Sequence, residues 1–252
     1  MPRASCLPLR VRTHEIDARG CVLPGTLLRW FQDAALHASA ENGFDNERYR
    51  KLGTTWFVRE YGLEIDGELR EGEDVRVVTW AADFVRLAAH RQYRLERLDG
   101  SIIAKGEANW IYVDRVTGRP KRFDRELLDE FPTNPEYVLA DRDWACDIVD
   151  AKTTPELPHS TVRDVRWSEV DGARHVNNAV YADWAVDHLA HVRTDVDGPG
   201  SIRRMRIRYD RSIPSGATVR WSIGEIRDGV WMQTVHDASD ETLYSRTVIQ
   251  VT

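Results

Sequence analysis

Two stretches decide how this chain folds: VRTHEIDARGCVLPGTLLRWFQDAALHA at 11–38 and VRWSEVDGARHVNNAVYADWAVDHLAHV at 165–192. At a fixed offset of 154, eight of the 28 pairs are identical. They are Val11/Val165, Arg12/Arg166, Glu15/Glu169, Asp17/Asp171, Val22/Val176, Trp30/Trp184, Asp33/Asp187 and His37/His191. Ile16/Val170 is conservative. In the first copy Leu27, Trp30, Phe31, Ala34, Ala35 and Ala38 recur at i, i+3, i+4, i+7, i+8 and i+11, one apolar face of a helix. Tyr181, Trp184, Ala185, His188, Leu189 and Val192 repeat those steps in the second. Each copy reads as a short strand, a turn at the Asp, and a long helix with one buried face.

Outward from each helix the periodicity changes to two. After the first come GLEIDGEL, EDVRVVTWAADF, HRQYRLERL and IIAKGEANWIYVD; after the second, RMRIRYDRSI, ATVRWSIGEI, VWMQTVHD and TLYSRTVIQV. These runs alternate polar with apolar residues and are rich in Val, Ile, Trp and Tyr, as strands are. LDGS, DVDGPG, RDGV and ASDE supply turns between them. VTWAADFVRLAAHRQYRLERL could pass for a helix, but its β-branched and aromatic content favours two strands around a bend. A weaker repeat continues: Asp66, Gly72, Val75 and Arg76 match Asp210, Gly216, Val219 and Arg220 at an offset of 144. The first copy therefore holds about ten extra residues between helix and strands. One helix on half a sheet closes no core by itself, whereas two copies do. The expected architecture is α+β: an N-terminal repeat over 1–125, a Pro-containing linker over 126–160 that crosses the surface, and a C-terminal repeat over 161–252.

Composition agrees with a globular protein. The chain has 252 residues, 42% hydrophobic and 30% charged, which excludes disorder or coiled coil as a whole-chain reading. A net charge of −6 argues against a nucleic-acid partner, since phosphate binding needs a concentrated positive field. No apolar run approaches the roughly 18 residues of a membrane span. MPRASCLPLRVRTHEID carries no apolar stretch of the kind a secretory signal needs. Three sparse cysteines (Cys6, Cys21, Cys146) indicate neither a disulfide framework nor a zinc site. A reducing cytoplasm is the expected compartment.

The densest polar cluster, EVDGARHVNNAVYADW, lies in the second copy at the entry to the apolar helix. A helix N-terminus offers unpaired N–H groups and a positive dipole end, able to hold a carbonyl oxygen as it becomes negative. A carboxylate there, Asp171, can activate water or attack directly, and an imidazole, His175, can orient or polarise a substrate. Asp and Asn are also common helix caps. The repeat weighs between these readings. The first copy keeps Asp17 but has Cys21, Leu23 and Pro24 in place of His175, Asn177 and Asn178, and a cap alone needs no such gain.

Asp171, His175, Val176, Asn177, Asn178, Tyr181 and Trp184, as DxxxHVNNxxYxxW, resemble the signature of hotdog-fold thioesterases. The tandem arrangement, and NWIYVDRVTGRPKRF at 109–123, resemble the acyl-ACP thioesterase family. The resemblance implies a double hotdog, with an antiparallel sheet around two long helices. It also implies hydrolysis of a fatty acyl thioester on acyl carrier protein or CoA, without metal or bound cofactor. Asp171 and His175 fall at the family's catalytic carboxylate and histidine. His175 and the amides of 176–178 would position and polarise the carbonyl, Asn177 and Asn178 would hold the turn or contact the thioester end, Val176, Tyr181 and Ser212 would complete the substrate-binding set, and Trp30 and Trp184 would shape the acyl tunnel. Where the family has Asn and Glu, this chain has Ala173 and Ser212. Asp210, two residues before Ser212 and so on the same strand face, is the candidate substitute acid at a displacement of about 6.6 Å. The rivals are a non-catalytic acyl- or carrier-binding protein and a hotdog hydratase or dehydratase. A homodimer is compatible with the fold, although the tandem chain already supplies two repeats.

Three further signals stand out. Arg204, Arg206 and Arg208 alternate on one strand face, which reads either as a docking stripe for an acidic carrier or as a solvated face. His188 and His191 lack a third ligand at metal-binding spacing. Cys21 lacks a nearby base and reads as a small packed residue.

Overall fold

The computed structural model describes residues 4–151, 153–193 and 201–252. The chain divides into two compact units, Met1–Ala140 and Asp141–Thr252.

The first unit contains β1 (Ser5–Arg10), α1 (Pro24–Glu41), α2 (Asn46–Lys51), β2 (Thr54–Ile65), β3 (Asp74–Val85), β4 (Ala88–Arg97), β5 (Ile102–Asp114) and α3 (Arg125–Glu130). Its strands lie in the order β1-β3-β4-β5-β2, all antiparallel. The ambiguous 78–98 run is the β3–β4 hairpin, with Arg86 at φ 58° in its turn. The extra residues after the first helix form α2. Pro24 opens α1, where its missing N–H costs nothing. The predicted apolar face of α1 is buried, and Phe31 stacks on Tyr93 of β4 with centroids 4.6 Å apart. Gly106 of β5 allows this approach, because a Cβ there would lie 2.5 Å from the Phe31 ring.

The second unit contains α4 (Cys146–Val149), β6 (His159–Asp164), α5 (Val180–Val192), β7 (Ile202–Tyr209), β8 (Thr218–Arg227), β9 (Val230–Asp237) and β10 (Leu243–Val251). The order β6-β8-β9-β10-β7 repeats that of the first unit strand for strand. Trp184, Ala185, His188 and Leu189 of α5 are buried. Gly72 and Gly216, paired in the sequence repeat, both take positive φ, 83° and 80°. Each unit is thus a helix on a five-stranded antiparallel sheet, the hotdog arrangement. The DVDGPG turn lies outside the described residues.

The 126–160 segment is more structured than a surface crossing. Leu127 and Phe131 enter an aromatic core with Phe44, Tyr49 and Tyr112, and Thr133 bridges Ala81 of β3. The Trp80 indole donates to the Glu136 carbonyl at 2.9 Å. Ala145 and Val149 pack on Met232 and Val248 in the second unit. Single anchors without periodic spacing leave no helix or strand signature in sequence.

Candidate active site

The two Asp turns share one backbone design. Asp17 N–H donates to the Cys21 carbonyl and Asp171 N–H to the His175 carbonyl, both at 2.9 Å. Bridges Ile16–Val22 and Val170–Val176 close the turns. Gly20 (φ 76°) and Arg174 (φ 63°) occupy the same left-handed position. In each copy a glutamate one turn earlier takes the helix tryptophan: Trp30 Nε1 donates to Glu15, and Trp184 Nε1 to Glu169, both at 2.9 Å. These glutamates were visible as a sequence identity, but their role shows only in three dimensions. Glu169 also accepts from Arg163 (2.7 Å) and from Arg166 N–H (2.7 Å). Burial pushes its pKa up, but the Trp184, Arg166 and Arg163 contacts outweigh this and the net direction is down.

The side chains at the two Asp residues diverge. Asp17 is held by Arg19 Nε (2.9 Å) and by the amides of Arg19 and Cys21 (2.9 and 3.0 Å). Burial raises its pKa, and these bonds more than reverse that. Position 173 replaces Arg19 with Ala. Asp171 accepts only Ala173 N–H, at 2.8 Å, and has no cationic partner among the described residues. The carboxylate is exposed, and across the turn His175 is half-buried.

The amides of 176–178 are not equivalent. Val176 N–H donates to the Ile213 carbonyl and Asn177 N–H to the Glu169 carbonyl, both at 2.9 Å. Two of the three expected oxyanion donors are thus committed to the fold. The Asn178 N–H has no acceptor among the described residues. Asn177 Oδ1 caps the helix entry by accepting Ala179 N–H at 3.0 Å. The Asn178 carbonyl accepts the Tyr209 hydroxyl at 2.9 Å, while its Oδ1 is buried without a partner. Tyr181 is buried. Burial raises its hydroxyl pKa, a backbone bond at Ile213 partly offsets this, and the Asp171 charge adds to the rise.

Asp210 and Ser212 differ from expectation. β7 ends at Tyr209, so they do not continue its face. The amides of Asp210 and Arg211 both turn to the Tyr244 carbonyl, which breaks the strand. Asp210 is paired with Arg246 at 3.2 Å and is not a free base. Ser212 is exposed, yet its segment borders the site: Pro214 bridges His175, and Ser215 N–H donates to the Arg174 carbonyl at 3.1 Å.

The arginine stripe is not an open face either. Arg204 pairs with Asp141 (3.6 Å), Arg206 donates to the Arg142 carbonyl, and Arg208 pairs with Asp150 (2.6 Å). The segment 141–150 covers it and supplies carboxylates to Arg204 and Arg208. Trp30 and Trp184 are core residues, 3% and 1% exposed. Burial, with Glu68 adding to it, pushes the Cys21 thiol pKa up, as suits a packed residue. His188 is buried against Trp221, with ring centroids 5.8 Å apart. Among the described residues no group of three or more His, Cys, Asp or Glu is placed to hold a metal. No helix there is long and apolar enough to cross a membrane.

The family models for the acyl-ACP thioesterase N-terminal and C-terminal domains match residues 8–131 and 154–250. The chain belongs to the acyl-ACP thioesterase family. Among relatives of this family member is the chloroplastic palmitoyl-acyl carrier protein thioesterase of Gossypium hirsutum, 23% identical over 193 residues. That match takes in 70% of this chain and 45% of the cotton protein, so the chain spans about half the length of the curated relatives it matches. A crystal structure of an acyl-ACP thioesterase from Bacteroides thetaiotaomicron superimposes with TM-score 0.81 and 17% identity, covering 98% of this chain and 97% of that one. The 12:0-ACP thioesterase from Umbellularia californica gives 0.80 and 16%, covering 98% and 96%. These likenesses show the double-hotdog fold.

Proposed function

We propose that this acyl-ACP thioesterase family member hydrolyses fatty acyl thioesters on acyl carrier protein, with acyl-CoA as the second substrate class. The carrying observation is the uncoupled carboxylate: the Asp turn occurs twice, and only the copy that contains His175 lacks a cation on its Asp. Asp171 takes a proton from water as the water oxygen adds to the thioester carbonyl carbon. The Asn178 N–H is the amide available to the carbonyl oxygen as it gains charge, and His175 orients or polarises the same group. Collapse re-forms the C=O bond and breaks the C–S bond, and the thiolate leaves with the proton held by Asp171. Direct attack by Asp171, giving a transient anhydride, is the other route this carboxylate offers.

Thiol release from acyl-ACP and acyl-CoA of several chain lengths tests the proposal. Asp171→Asn and His175→Ala are each expected to lower kcat/KM by roughly a hundredfold or more. Variants as active as the wild type overturn the assignment. Ala173, Ser212 and the Asp210–Arg246 pair favour a second reading, an acyl- or carrier-binding protein. Tight acyl-ACP binding with no turnover in the wild type would establish it. A homodimer is a further expectation, checked by solution mass.

A further inference from the structure

The cores beneath the two long helices have diverged as far as the two Asp turns. In the first unit Phe31 stacks on Tyr93 over Gly106, and Gly106 pairs across the sheet with Leu63 and Tyr93. The offset of 144 carries Leu63 to Ile207 and Ile65 to Tyr209. Ile207 pairs with Thr247, Tyr209 with Ser245, and Thr247 with Gln233. Thr247, Gln233 and Ser245 therefore stand where the first unit has Gly106, Tyr93 and Ala104. On the helix, the offset of 154 puts Ala185 in place of Phe31 and His188 in place of Ala34. The second core has lost a ring and gained four polar side chains, all buried: Ser245 at 0% exposure, Thr247 and Gln233 at 1%, His188 at 4%. Trp221, in place of Val77, returns part of the bulk.

These polar groups do not satisfy one another. Ser245 Oγ, Thr247 Oγ1, Gln233 Oε1 and Asn178 Oδ1 are buried without a hydrogen-bond partner among the described residues, and so is Trp221 Nε1. Gln233 Nε2 lies 3.2 Å from the Trp184 carbonyl and 3.4 Å from His188 Nδ1, which orients the amide and leaves Oε1 in need of a donor. An orphaned buried polar atom costs a sizeable part of a domain's net stability, and a row of them calls for a small molecule that both donates and accepts. Water does both, and it settles where two to four polar groups converge. The row has two ends. Tyr209, opposite Ser245, donates its hydroxyl to the Asn178 carbonyl at the helix entry. At the other end, exposed His159 and His191 act on the charge of His188.

We infer that a file of ordered waters runs beneath α5, held by Ser245, Thr247 and Gln233 between Asn178 and His188, and that it supplies the hydrolytic water from inside the protein. A thioester and its carrier approach from the exposed Asp171 side, so a route beneath the helix replaces each water consumed while the mouth is covered. The supply role rests on the hydrolysis reading; the file does not.

A high-resolution crystal structure of the full chain, paired with thiol-release kinetics, is the test. Waters are expected within ~3.2 Å of Ser245 Oγ, Thr247 Oγ1 and Gln233 Oε1. Thr247→Val keeps the side-chain outline and removes the hydroxyl. It is expected to lose the water at that position and to lower kcat roughly fivefold or more, about what one hydrogen bond is worth, with KM within about twofold. Thr247→Ser is expected to restore both the water and the rate. A dry gap in the wild type overturns the inference, whether or not the variants fold. Unchanged kcat in a folded Thr247→Val protein that has lost the water overturns the supply role. A wild type that holds the waters and releases no thiol overturns the hydrolysis reading and the supply role with it, and establishes the file alone.

Discussion

At the residue scale, replacing Arg19 with Ala at position 173 changes a clamped carboxylate into an available one. The same turn carries a second divergence. Gly20 tolerates φ 76° without strain, whereas Arg174 holds φ 63° with a Cβ present. Arg174→Gly is expected to raise stability by up to about 1 kcal/mol, read from the urea midpoint; a lower midpoint would assign the Arg174 side chain a structural role. His188 makes a pH prediction. Burial first, then the positive His159 and His191, push its pKa down to about 4, and its Nδ1 lies 3.4 Å from Gln233 Nε2. Between pH ~6.5 and 4 the unfolded chain takes up a proton that the folded one refuses, so stability falls as pH falls through that window. His188→Gln should flatten this slope in urea midpoints measured from pH 7 to 4.

At the element scale, each helix is seated by two devices: an apolar face on the sheet and a glutamate on its tryptophan. α1 adds a third, the Gly106 gap under Phe31. Gly106→Ala is expected to cost about 1–3 kcal/mol, because a packed core resists an extra methyl group. Phe31→Leu in the same chain should return part of that loss, and additive losses in denaturant melts would show that the two residues do not share the contact. The end of β7 at Tyr209 also matters here. It removes Asp210 and Ser212 from a common strand face and places Asp210 on Arg246.

At the scale of the whole molecule, duplication supplies two copies of one scaffold, and the proposed hydrolytic residues lie in the second unit alone. Asp171→Asn is therefore expected to abolish thiol release while leaving the stability read from the urea midpoint within about 0.5 kcal/mol of the wild type, since an exposed side chain outside the core contributes little to stability. A parallel loss of both would show that the Asp171 carboxylate holds the turn together.

The sequence alone determined the duplication, the helix faces and the alternation of the strands, and hence the fold. These are periodic features, and a periodic pattern states which face is buried without needing its partner. It also singled out Asp171 and His175 as candidates, because comparison of the copies made the change of residue type visible. Its reading failed where the outcome depends on groups far apart in the chain. That Val176 and Asn177 donate their amides to Ile213 and Glu169, that Asp210 meets Arg246, and that the arginines of β7 are covered by 141–150 required the tertiary structure. Hydrogen bonds and ion pairs are decided by which atoms meet in space, and no local pattern encodes that.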